Sequence, residues 1–400
     1  MRSWIISLSG SLVGNLLTVI AGILIARSVL PDERGDIAKI FMYAQVFILF
    51  CTFAASDYLV VKGNSKHTFM MLIMSGFPLT IFATFISLST FNIFDYADSV
   101  SSIYYLVYFI LFFPVYYLRS ICLAHLAYKG KAKQVAAERS VYGLFYILVL
   151  VAMFIFSSIN VGVVILSSLF AEVLSTVYVF NRVKASFYEF RFDIGFKPLW
   201  ICNNFKQFLS FSMSVASKNV DKLVVFIFVS SYLAGIYVVA SALPAMLTQF
   251  YSKASQDVIF VQSKLNSKLL MSSLRPLYLM SLILLLSIMF SNLFGQEFIV
   301  IVFGEDYKQS ADYLSLLFLL GYLISVKEFL LKLIKPHFVD FVIKAEVAYL
   351  LLLFSSVYIL SSLSDNDFYH LIFGMTVVVG VSAFAVMLVF VRLVRTQKLV

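Results

Sequence analysis

The stretch Ile5–Ala26, IISLSGSLVGNLLTVIAGILIA, carries no charge and is followed at once by Arg27–Asp36, RSVLPDERGD. At about 1.5 Å per helical residue the first piece crosses a hydrocarbon layer of about 30 Å, and the second is too charged to enter one. The same alternation recurs along the chain. Apolar runs lie at Ile5–Ala26, Ile37–Val61, Phe69–Phe94, Ile103–Leu126, Ser140–Ser157, Val161–Phe180, Phe208–Val229, Ala234–Tyr251, Leu277–Phe294, Tyr313–Ile334, Phe341–Leu363 and Tyr369–Val391. They are continuously apolar rather than alternating, which predicts an all-α integral membrane protein of about 12 transmembrane helices and not barrel strands.

Charge fixes the threading. The chain is 62% hydrophobic and 13% charged, against roughly half and a quarter in soluble domains. Every second gap is basic: Arg2; Lys62 and Lys66; Lys129, Lys131, Lys133 and Arg139; Arg182, Lys184, Arg191, Lys197 and Lys206; Lys253, Lys264, Lys268 and Arg275; Lys332, Lys335 and Lys344; Arg392, Arg395 and Lys398. The opposite gaps hold Asp32, Glu33 and Asp36, then Asp95 and Asp98, then Glu297, Glu305, Asp306 and Asp312, then Asp365 and Asp367, with Arg34 and Lys308 as their clear basic members. Lys and Arg are retained on the cytoplasmic side, so both termini are expected in the cytoplasm. The net charge of +9 then reflects topology and attraction to anionic lipid, not nucleic-acid binding. The first run is too long for a signal peptide and lacks a cleavage site after it, so it reads as an uncleaved span. Cys51, Cys122 and Cys202 have no metal or redox spacing.

No hydrophilic stretch is long enough for a soluble domain. The segment 181–206 divides the runs into two sets of six, giving expected domains at 1–200 and 201–400. Span 1 leaves through Ala26–Ala38 and span 7 through Ser230–Ala240, and Gly35 and Gly235 fall half the chain apart. Each glycine is expected to close a short turn at positive φ. An even number of spans per half gives a parallel repeat about an axis along the membrane normal, an arrangement used by transporters.

Three patches carry a resemblance to a family. Arg27–Gly35 is similar to a small-Arg-x-Leu-Gly-Pro-acidic-x-Gly turn, with Leu30 where glycine is usual. Asp221-Lys222-Leu223 followed by Gly235-Ile236-Tyr237-Val238-Val239-Ala240 resembles an Asp-Arg-Leu span 7 and a Gly-x-Tyr-x-x-Ala start of span 8, with Lys222 in place of arginine. Phe303-Gly304-Glu305-Asp306-Tyr307 is similar to a Phe-Gly-x-x-Tyr segment after span 9. In this order and spacing they resemble the polysaccharide and O-antigen flippases, the Wzx-like branch of the superfamily that also holds the multidrug antiporters and oligosaccharidyl-lipid exporters. The resemblance implies two six-helix bundles, V-shaped around a central cavity. It implies translocation of undecaprenyl-diphosphate-linked oligosaccharides from the cytoplasmic to the outer leaflet of a bacterial inner membrane, for O-antigen or capsule assembly. A polysaccharide polymerase and a chain-length regulator are the implied protein partners.

Ionisable residues inside spans cost about 3 kcal/mol or more at mid-bilayer and need a partner or a wet cavity. Ser210, Ser214, Ser217 and Asp221 form a polar stripe on span 7, with Lys218 and Lys222 beside it, and span 1 has a milder stripe of Ser7, Ser11, Asn15, Thr18 and Gly22. Both stripes are expected to face a shared cavity. A lipid diphosphate needs cations there, and Lys218, Lys222, Arg119 and Arg27 are the candidates. Lys218 with Asp221 is also readable as an internal salt bridge, the cavity role being preferred. Asp221, Glu172 and Asp57 are candidates for ion coupling or charge pairing; Asp57 is also readable as interfacial. Glu172 is either protonated or meets Arg119 or a coupling cation. Lys327 and Glu328 are secondary candidates or a structural pair. His67, His125, His337 and His370 read as residues near interfaces. Pro78, Pro114 and Pro244 fall inside spans, where each removes a helical hydrogen bond.

The sequence offers no catalytic set, metal site, cofactor or nucleotide-binding motif, so energy is expected from an H+ or Na+ gradient or the membrane potential, worth about 2.3 kcal/mol per charge per 100 mV. The alternatives to a flippase are a multidrug or cation antiporter, which favours an acidic, aromatic-lined cavity, and a membrane polysaccharide polymerase, which needs a catalytic external loop.

Overall fold

A computed structural model describes residues 2–53, 55, 59, 66–93, 102–129, 131–156, 159–187, 199–262, 275–334, 338–363 and 368–395. Asp57 lies outside these residues, and Lys218 is described only as part of a helix backbone. Among the described residues the chain is helical throughout. The α-helices are α1 Arg2–Ala26, α2 Pro31–Thr52, α3 Lys66–Ile93, α4 Ser102–Tyr128, α5 Ala132–Phe156, α6 Val161–Phe187, α7 Leu199–Phe228, α8 Ser231–Gln262, α9 Arg275–Phe303, α10 Ser310–Ile334, α11 Val339–Leu363 and α12 Phe368–Arg395, with a 3-10 turn at Glu305–Tyr307. Nine of them contain a segment long and apolar enough to cross a membrane; α1, α7 and α8 contribute the shorter apolar pieces Val13–Ala26, Phe208–Ser217 and Ser231–Met246. Large apolar side chains face outward, among them Phe77 and Phe85 at 69% exposure and Ile155 at 72%. That surface is incompatible with water and suited to lipid, and the protein is a multi-pass membrane protein.

The helices form two compact units, Met1–Ala21 with Ile37–Val215, and Gly22–Asp36 with Ala216–Val400. The division runs through α7 instead of before it, and the end of α1 with the start of α2 belongs to the second unit. In the first unit α4 packs on α3 and α6, and α5 on α6; in the second, α10 packs on α9 and α12, and α11 on α12. Each helix in the second set follows its counterpart by six, as a parallel repeat requires. Phe109, Phe113, Ile121 and Cys122 of α4 are fully buried in the core of the first unit. Phe329, Leu333 and Ile334 of α10 bury against Val386 and Phe390 of α12 in the second.

The expected turn before span 2 is instead the first turn of a helix. Pro31 opens α2 with its fixed φ, Asp32 and Glu33 sit where the helix dipole favours anions, and the Leu30 amide donates to Glu33 Oε2 at 3.3 Å. Neither Gly35 nor Gly235 has positive φ; among the described residues Gly304 alone of the glycines does, at +110°. The expectation for Gly35 and Gly235 is corrected by packing. A Cβ on Gly35 would overlap the Ser231 carbonyl, and a Cβ on Gly235 would overlap the Pro31 carbonyl. The step from Pro31 to Ser231 equals that from Gly35 to Gly235, so the contact is reciprocal: the first turns of α2 and α8 meet across a local two-fold axis. Gly35→Ala or Gly235→Ala should each lower stability by about 1–3 kcal/mol through overpacking, read as a lower unfolding temperature of the detergent-purified protein; Gly295→Ala, where a Cβ meets only ordinary contacts, should be milder.

Candidate functional site

Arg27–Gly35, the Gly235–Ala240 part of the second patch and Phe303–Tyr307 meet at one end of the second unit, while Asp221-Lys222-Leu223 lies apart from them. Arg27, just past the end of α1, donates from Nε to the Val302 carbonyl at 2.9 Å and from its second nitrogen to the Ile301 carbonyl. It thereby caps the C-terminus of α9, where unsatisfied carbonyls and the helix dipole favour a cation. α9 runs on to Phe303, past the end of its apolar run, and stops where Gly304 turns left-handed. This brings Tyr307 into the core, where its hydroxyl donates to the Val29 carbonyl at 3.1 Å. Burial raises the Tyr307 phenol above its ordinary range, so it remains a donor. Ser231 donates to Asp36 at 2.7 Å, and Ser310 to the Ile236 carbonyl at 3.0 Å.

Deeper in the same unit lies a cavity of about 170 Å³, lined by Asn219, Asp221 and Lys222 of α7, Tyr237 and Ser241 of α8, and Glu328 of α10. Helical spacing explains the α7 contribution, since the polar stripe of this helix turns inward and buries Ser217 and Asp221. Tyr237, fully buried, donates its hydroxyl to Asp221 Oδ2 at 2.6 Å. Asp221 Oδ1 is buried with no hydrogen-bond partner among the described residues. The cavity therefore presents one ammonium and two carboxyl groups. It is smaller than a drug-sized pocket of about 300–1,000 Å³, and fits an ion, a few waters or part of a head group.

The remaining candidates are held elsewhere. Arg119 of α4 binds Glu138 of α5 at 2.7 Å and Glu172 of α6, so of the readings open for Glu172 the structure shows the Arg119 contact. Lys327 does not pair with its neighbour Glu328. Successive residues diverge around a helix, and Lys327 points to Glu346 of α11 at 3.1 Å and to Ser217, while Glu328 faces the cavity. Arg119 lies over the Tyr142 ring at 4.8 Å and Lys327 over the Tyr349 ring at 3.4 Å. Sequence reading missed Glu138, Glu346 and both tyrosines, because their spans were opened too late or scanned for charge without their partners. His125, read as interfacial, is buried and packs on Phe69 with ring centroids 4.4 Å apart.

No protein-family model matches the sequence, and neither does any curated protein. Solved structures do. A MATE protein in complex with MaL6 aligns over 99% of this chain and 96% of its own, with a TM-score of 0.71 at 13% identity. An outward-facing multidrug resistance MATE family transporter of the MOP superfamily aligns with a TM-score of 0.70 at 13% identity, over 99% and 96%. The chain has the fold of the MATE transporters. A MOP superfamily transporter from Pyrococcus furiosus, whose binding pocket of reversed polarity suggests a different function, also aligns, with a TM-score of 0.68 at 13% identity over 99% and 96%.

The buried pair in the second unit gives a direct test of charge pairing. Lys327→Met strands Glu346 in a dry core and should cost about 3–5 kcal/mol, whereas Lys327→Met with Glu346→Gln should recover most of that loss, measured by thermal unfolding in detergent.

Proposed function

We propose that the protein is a transporter that moves a polyprenyl-diphosphate-linked oligosaccharide across a bacterial inner membrane. The observation that carries this reading is Lys222. Of the five basic residues picked out from the sequence, Arg119 and Lys327 are neutralised by carboxylates, Arg27 by helix-end carbonyls, and Lys218 has no described side chain. Lys222 lines a cavity in the membrane-embedded unit with no ion pair among the described residues. An ammonium in such a place offsets the desolvation of a phosphate by charge-assisted hydrogen bonds. A cavity of about 170 Å³ has room for phosphate oxygens and not for a sugar repeat. The glycan therefore occupies other space, and the polyprenyl tail remains in lipid. The three sequence patches support the same reading, and with no nucleotide-binding motif the cycle draws on an ion gradient or the membrane potential.

A second reading is favoured by Asp221 and Glu328. Two carboxyl groups on one cavity wall suit a cationic substrate or a coupling cation, as a multidrug or cation antiporter requires. Reversed pocket polarity in the transporter from Pyrococcus furiosus supports treating polarity as the variable that distinguishes functions on this fold.

The readings separate in vesicles reconstituted with the purified protein. On the first, a fluorescent polyprenyl-diphosphate sugar changes leaflet, and Lys222→Ala slows it about tenfold, the equivalent of one charge-assisted hydrogen bond of ~1.4 kcal/mol. Transport of a quaternary-ammonium dye that is abolished by Asp221→Asn, with no movement of the lipid under any imposed gradient, would overturn it in favour of the second.

A further inference from the structure

The two buried ion pairs are copies of one device. The step from Arg119 to Lys327 equals the step from Glu138 to Glu346, and it carries α4 onto α10 and α5 onto α11. In both units a cation on the first helix meets a carboxylate on the next and lies over a tyrosine one turn further on, Tyr142 or Tyr349. The copies are not identical, since the cation is Arg in one and Lys in the other and the tyrosine lies four residues past the carboxylate in one and three in the other, and one difference changes the charge. The same step carries Glu172 of α6 to Gly380 of α12, so the first unit holds a second carboxyl group where the second unit has none.

That difference unbalances the first cluster. Lys327 pairs with Glu346. Arg119 faces both Glu138 and Glu172, which are 1% and 3% exposed. Among the described residues, the other titratable groups facing Glu172 are the phenols Tyr108 and Tyr116 of α4 and Tyr142 of α5, which add no positive charge. A net negative charge in a dry core is expensive, and like-charged carboxylates sharing a site resist joint ionisation. The two acids are not equally supported. Glu138 Oε1 accepts from both Arg119 and Ser175, the latter at 2.8 Å. Glu172 accepts from Arg119 at Oε2, while its Oε1 is buried with no hydrogen-bond partner among the described residues.

We infer that the cluster of Arg119, Glu138 and Glu172 is a proton-binding site, with Glu172 Oε1 as the acceptor. The proton comes from water, adds to the carboxylate and brings the cluster to neutrality, while Arg119 keeps its bond to Oε2. The inference does not depend on which substrate the protein carries.

The test is direct. In infrared spectra of the purified wild-type protein at neutral pH, a carbonyl band of a protonated carboxylic acid should be present, should shift in heavy water, and should disappear in Glu172→Gln. Glu138→Gln leaves one carboxyl group for one guanidinium, so its band should disappear as well, although Glu172 is intact. A dye-monitored titration from acidic to alkaline buffer should release one fewer proton per chain from Glu172→Gln than from wild type. Asp221→Asn controls for the other unit and should keep the band. A wild-type spectrum without the band, or one left unchanged by both Glu172→Gln and Glu138→Gln, would overturn the proposal. Should Glu172→Gln fail to fold, the wild-type spectrum and Glu138→Gln decide alone. Failure of lipid transport in vesicles with the band present would remove the substrate reading and leave the proton site standing.

Discussion

The reciprocal contact of Gly35 and Gly235 is the constraint on which much of the second unit rests. Two helix N-termini approach until the backbone carbonyls of Pro31 and Ser231 occupy the space of the missing side chains. Only then does the end of α1 lie near enough to α9 for Arg27 to cap it, and only then does Tyr307 reach the Val29 carbonyl. The contact also accounts for the assignment of Gly22–Asp36 to the second unit while the flanking helices belong to the first. A chain segment that leaves one compact unit, contributes to another and returns needs a strong local reason, and carbonyl-to-glycine packing with the side-chain hydrogen bonds of Arg27, Glu33, Ser231 and Tyr307 around it supplies one.

Lipid imposes the second constraint. Helix association in a membrane gains little from hydrophobicity, so polar contacts and close packing specify which helices meet. The buried cations of α4 and α10 are read in this way. Each is locked to the following helix by a carboxylate and covered by an aromatic ring. Such pairs add modest stability at best but penalise any arrangement that separates them. They therefore specify helix neighbours, and their recurrence in both units follows from a repeat in which the same helices face the same problem.

Helix number, approximate limits and the repeat were legible in the sequence because they depend on run length and charge sorting, which are local. The role of the glycines was not, since a tight helix-to-helix approach and a positive-φ turn both select glycine and differ only in what lies opposite. Lys327 shows the same limit. Adjacency in sequence suggested Glu328, while rotation around α10 directs the two side chains to different elements, one into the core and one into the cavity. Glu172 was legible as a buried acid without a local partner. That Arg119 is shared with Glu138 was not, because a three-helix contact leaves no periodic trace. The patches were recognisable as motifs, and the meeting of Arg27–Gly35, Gly235–Ala240 and Phe303–Tyr307 supplies a physical reason for those three stretches, while Asp221-Lys222-Leu223 serves the cavity.

The two units differ in how their buried charges are housed. In the first, Arg119, Glu138 and Glu172 are enclosed together, and the surplus among these three is one carboxyl group that water cannot easily reach. A site of that kind selects by charge and size together, and the smallest cation satisfies it at least cost in reorganisation. In the second, Lys222, Asp221 and Glu328 border open space, so an incoming group meets a mixed wall whose polarity depends on whether each carboxyl group is ionised. An anionic head group is favoured there only while the acids are neutral or otherwise engaged, as Asp221 is with Tyr237. The polarity that the cavity presents thus depends less on the number of basic residues than on how completely the acids are occupied. Among the described residues Tyr237 gives Asp221 a single hydrogen bond and Oδ1 accepts none, so the group that meets this oxygen determines the charge that the cavity presents.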